Sequence, residues 1–81
     1  MTKKEIIKAI QKREAELFLK IKIDEQLFGP DSPAISNTRN GWIAVNNLME
    51  DLGIKHDINL PENQKAIEII QKNKLKKEAL I

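Results

Sequence analysis

The stretch from Thr2 to Phe28 holds neither glycine nor proline, and this uninterrupted length most constrains what the 81-residue chain can fold into. Thr2 and Glu5 have the spacing of a capping box, in which each side chain satisfies a backbone N–H at a helix start. Gly29 and Pro30 then end the segment, because glycine tolerates a left-handed cap and proline cannot extend a helix. Wholly helical, it spans on the order of 40 Å. A helix of that length in so small a protein has to be covered by the rest of the chain or by another copy.

Its apolar pattern changes midway. At about 100° per residue, Ile6, Ile7, Ile10, Leu17, Ile21 and Phe28 form one stripe, with Lys4, Lys8 and Lys12 opposite. From Leu17 onward, Leu19, Ile23 and Leu27 project away from that stripe, so this half requires cover on a second side. Leu17, Leu19, Ile21 and Ile23 also alternate as a strand would. Helix is the preferred reading, since strong helix formers lead into this part without a breaker and no second strand is available to pair with it.

A short turn from Gly29 to Ser32 precedes Pro33, and Ser32 fits an N-cap with proline at the first helical position. The second helix is expected over about 33–52, with a start as late as Ser36 as the alternative. Ile35, Thr38, Trp42, Val45, Met49 and Leu52 recur at spacings of three and four. The short connection makes the first two helices an antiparallel hairpin. Its expected core is Ile10, Leu17, Ile21 and Phe28 against Trp42, Val45, Met49 and Leu52, with Trp42 as the central anchor. Gly41 lies beside that stripe, which suggests close approach of a neighbouring helix. Gly53 and Ile54 fit a Schellman-type stop.

Lys55 to Leu60 reads as a connector, and Pro61 opens a third helix over about 61–75 whose docking stripe is only Ala66, Ile67 and Ile70. A basic tail over 72–81 carries Lys72, Lys74, Lys76 and Lys77. The fold class is therefore all-α, a single domain over 1–81 in which a long hairpin and a shorter helix are completed by oligomerisation.

The chain has no cysteine, which removes disulfides and thiolate metal sites and suits a reducing, cytoplasmic setting. No apolar run approaches the roughly 20 residues that span a bilayer, so no membrane partner is expected. Net charge is +2, from 14 basic and 12 acidic residues. Two weak basic patches, Lys4, Lys8 and Lys12 and then Lys72, Lys74, Lys76 and Lys77, leave nucleic acid as a minor expectation.

The only histidine, His56, has Glu50, Asp51 and Asp57 nearby in sequence but lacks zinc-ligand spacing and reads as part of a solvated connector. Ser32 and Ser36 are accounted for at a helix start, and Gly29, Gly41 and Gly53 form no phosphate-binding loop. No cofactor and no enzymatic activity are expected. Glu14 and Asp24 fall on the same face as Ile7, Ile10, Leu17 and Ile21. Either they pair with Arg13, Arg39 or a partner's basic group, or, the preferred reading, they sit at the stripe's edge and reach water.

The charged run Lys12, Arg13, Glu14, Ala15, Glu16, the end at Phe28-Gly29, and Trp42, Val45, Leu48 and Met49 closing on Leu52-Gly53-Ile54 together resemble short helical-hairpin proteins of Gram-positive bacteria and their phages or prophages. The resemblance covers about the first two thirds of the chain. It implies a small accessory protein and brings no known activity and no functional residues with it. The leading expectation is a non-enzymatic self-association module, a homo-oligomer with the dimer favoured, using Leu19, Ile23 and Leu27 as its interface. The alternative is a phage- or prophage-type regulator or inhibitor that binds a host protein or nucleic acid.

Overall fold

The computed structural model describes the backbone of residues 1–79 and side chains through residue 75. It is all-α, with three helices: α1 (Lys3–Phe28), α2 (Pro33–Leu52) and α3 (Pro61–Ala79). No strand occurs among the described residues, so the alternating segment from Leu17 to Ile23 is helical.

Local chemistry sets most of the boundaries. The Glu5 N–H donates to Thr2 Oγ1 at 3.2 Å, which caps α1. At the other end Gly29 adopts φ 83°, a value that disfavours any side chain, and its N–H donates to the Glu25 carbonyl at 3.0 Å. Ser32 occupies the N-cap position of α2, but its hydroxyl makes no capping bond, and the start rests on Pro33 with fixed φ. At Gly53 the chain turns left-handed. The Gly53 N–H donates to the Glu50 carbonyl and the Ile54 N–H reaches back to the Met49 carbonyl at 2.8 Å, the paired bonds of a Schellman cap. The connector is organised by Asp57, whose carboxylate accepts from the Asn59 N–H at 3.0 Å and whose carbonyl accepts from the Asn63 amide at 2.6 Å. The third helix runs to Ala79 rather than ending near Leu75.

α1 packs against both other helices, while among the described residues the backbones of α2 and α3 stay more than 8 Å apart, Cα to Cα. The result is an open layer with α1 in the middle, measuring 49 × 27 × 17 Å across its Cα atoms. α2 is antiparallel to α1, since Ile6 and Ile10 share a cleft with Leu52 while Leu17 and Lys20 share one with Asn37 and Thr38. α3 runs in the same sense as α1: Phe18 lies beside Ile67, and Lys22 and Glu25 lie beside Ile70 and Lys74. The connector crosses α1 near Gln11, whose amide donates to the Lys55 carbonyl at 2.9 Å. α3 therefore covers only the later half of α1. The lysine stripe Lys4, Lys8 and Lys12 precedes that cover and is exposed, whereas Leu19, further along, is half-buried.

The buried apolar residues among those described are Ala15, Ile21, Ile35, Met49 and Ala66. Ile10, Leu17, Trp42 and Val45 are half-buried. Two residues expected in the hairpin core are exposed instead: Phe28 at 66% and Leu52 at 59%. Each is the last residue of its helix, where the partner helix no longer overlaps it fully, and helical spacing marks a face without saying how far its cover extends. Gly41 is also corrected. Beyond its own chain neighbours and the adjacent turns of α2, no atom lies within 4 Å of where its Cβ would be, so no neighbouring helix approaches it closely.

Candidate functional site

Because α2 and α3 stand apart, a cleft of about 250 Å³ opens between them over α1, just where the connector crosses. Glu14 and Phe18, one turn apart on α1, form its floor. Trp42 of α2 makes one wall, Asn63 and Ile67 of α3 the other, and His56 and Ile58 of the connector close one end. Each contributor is placed by a local device already described: the Schellman cap directs the chain back across α1, and the Asp57 bonds hold Asn63 at the start of α3.

Glu14 dominates the site's electrostatics. Its side chain is only 3% exposed, so its carboxylate does not reach water as the stripe-edge reading expects. Oε1 accepts a hydrogen bond from the Trp42 indole Nε1–H at 2.9 Å. Oε2 lies 3.2 Å from His56 Nδ1, an ion pair when the imidazole is protonated, and this buried oxygen accepts no hydrogen bond. A buried carboxylate with an unmatched oxygen is costly unless an opposite charge or further donors approach it. Neither Arg13 nor Arg39 does so: Arg13 pairs with Glu16 at 3.7 Å and Arg39 with Glu25 at 3.5 Å. A second unmatched buried oxygen, Glu62 Oε2, belongs to the first turn of α3, where the helix N-terminus offsets negative charge.

The aromatic part of the cleft is also ordered. The Phe18 and Trp42 rings have centroids 5.6 Å apart and are tilted by 30°, a favourable offset contact. Lys22 Nζ stands 5.4 Å from the Phe18 ring centroid and 3.5 Å from Glu25 Oε2, so one face of Phe18 already holds a cation.

Of the residues proposed from sequence as an interface, Leu19 is half-buried beneath the α3 side, while Ile23 at 40% and Leu27 at 68% are exposed. The two basic groups are not brought together. Lys4, Lys8 and Lys12 line the early half of α1, and Lys72 and Lys74 lie beside its far end; the side chains of Lys76 and Lys77 are outside the described residues. Among the described residues no three His, Cys, Asp or Glu side chains group as metal ligands would. Nor is any described helix long and apolar enough to cross a membrane.

Sequence reasoning placed Trp42 and singled out Glu14 without joining either to His56. The available signal was a carboxylate at a stripe position of an otherwise apolar face. What hid the pairing is that it depends on where the connector crosses α1. Comparison with protein-family models, curated proteins and solved structures yields no match to this chain.

Proposed function

We propose that the protein is a non-enzymatic helical module that associates with a second copy of itself. The observation that carries this reading is the open layer: α2 and α3 flank α1 with their described backbones more than 8 Å apart, which leaves much of the chain's apolar surface uncovered. Only Ile21, Ile35 and Met49 among the described large hydrophobics are buried. At the end where α1 finishes and α3 runs beside it, Ile23, Leu27 and Phe28 of α1 and Ile70 and Leu75 of α3 are all exposed. Scattered exposed leucines need no explanation, but several at one end of a chain this small make an association surface.

Packing this end against its two-fold copy buries the same residues on both partners in an isologous interface. It also supplies the second cover that the later half of α1 requires. The test is the solution mass of the double variant Ile23→Lys with Leu27→Lys, compared with the unaltered chain. Both side chains are exposed, so the variant keeps its helical content, and the expected result is a mass falling from dimer to monomer. An unchanged dimer mass overturns the assigned surface.

A further inference from the structure

We propose that Asn40 is a site of slow spontaneous modification, protected while α2 is helical and converted to aspartate and isoaspartate when that helix opens. Asn40 is the only asparagine in the chain followed by glycine. In the reaction the Gly41 backbone nitrogen attacks the Asn40 side-chain carbon. The new N–C bond closes a cyclic imide, the bond to the side-chain amide nitrogen breaks, and that nitrogen leaves as ammonia with the proton given up by Gly41. Water then adds at either imide carbonyl, giving aspartate or isoaspartate. Glycine hinders the attack least because it has no Cβ. Asn37, Asn46, Asn47 and the other asparagines all precede bulkier residues.

The fold sets when this chemistry can occur. Asn40 and Gly41 lie in the middle of α2, where the Gly41 N–H is directed at the Asn37 carbonyl and the helical torsions hold its nitrogen away from the side-chain carbon. Ring closure therefore waits for local opening. Such opening is favoured here. Both residues are exposed, nothing from another helix lies within 4 Å of the position a Gly41 Cβ would take, and glycine weakens a helix interior more than any residue but proline. Gly41 also lines an open cleft of about 470 Å³ with Leu17 of α1 and Thr38, so water reaches the pair.

The position gives the modification a structural consequence. Isoaspartate routes the main chain through the former side chain and lengthens it by a methylene, so the hydrogen-bond ladder of α2 loses its register at this point. On either side stand polar ties of the hairpin: Arg39 pairs with Glu25 at 3.5 Å, and the Trp42 indole donates to Glu14 at 2.9 Å. Conversion therefore loosens α2 from α1 at the middle of their contact.

The test is mass spectrometry of the full chain incubated at mildly alkaline pH, folded and in denaturant. The lysine-cleaved peptide from Ile23 to Lys55 carries Asn37, Asn46 and Asn47 as internal controls. In denaturant Asn40 is expected to convert ahead of these three, and in the folded chain about tenfold or more slowly than in denaturant. Met49→Ala, which weakens the seat of α2 on α1, is expected to speed conversion without denaturant. The isoaspartate-bearing chain, separated by ion exchange, is expected to melt at a lower temperature than the unaltered one. Equal rates for folded and denatured chain, no conversion of the folded chain or of Met49→Ala while the denatured chain converts, or Asn40 no faster than its controls in denaturant overturns the proposal. Unchanged melting of the isoaspartate form overturns its structural consequence. The comparison of folded with denatured chain needs no variant, so it decides the matter even if Met49→Ala fails to fold.

Discussion

Along α1, the flank that meets α2 is anchored at both ends and buries large side chains, whereas the flank that meets α3 is short and buries small ones. The α2 side begins at a glycine-capped turn and finishes in a Schellman cap, with Ile21, Ile35 and Met49 between them. Ala15 lies on the α3 side of Glu14 by helical geometry, and Ala66 is the buried apolar residue of α3; both are fully buried. Small residues let two helices approach closely but remove little apolar area from water. Ile67, Ile70 and Leu75 of α3 stay exposed. Under the proposed self-association, a second copy has most to contribute at the weakly covered side of α1, not at the hairpin.

Three substitutions break or sharpen this contrast. Met49→Ala removes a side chain 1% exposed from the stronger flank and is expected to destabilise the chain by about 3 kcal/mol in denaturant unfolding. Ala66→Leu overfills the close contact of α3 and is expected to cost about 2 kcal/mol. Amide exchange then distinguishes the flanks, with protection lost in α3 while α2 retains it; equal loss in both helices would mean that the flanks are a single cooperative unit. Gly41→Ala is expected to stabilise α2 by about 1 kcal/mol, because the Cβ enters open space and the helical propensity improves. A fall in melting temperature for that variant would restore the close approach that the structure removes.

Much of the fold was legible because its boundaries are local. Thr2 acts through its side-chain oxygen, and Gly29, Pro33, Gly53 and Pro61 act through their own backbone geometry, and the helix limits follow from them. The change in apolar pattern along α1 was legible too, and it coincides with where α3 begins to cover that helix. What the sequence did not disclose is non-local. The direction of α3, the exposure of Phe28 and Leu52, and the open space at Gly41 all depend on how far one helix overlaps another. The cleft was half visible: Trp42 stood on an apolar stripe and Glu14 interrupted one, but only the crossing of the connector brings His56 to the carboxylate.

The central claim is that an open three-helix layer is completed by a second copy, and sedimentation equilibrium of the unaltered chain across the micromolar range tests it most directly. The account predicts a reversible monomer–dimer equilibrium, with dimer dominating as concentration rises. A monomer mass that stays constant throughout that range would contradict it.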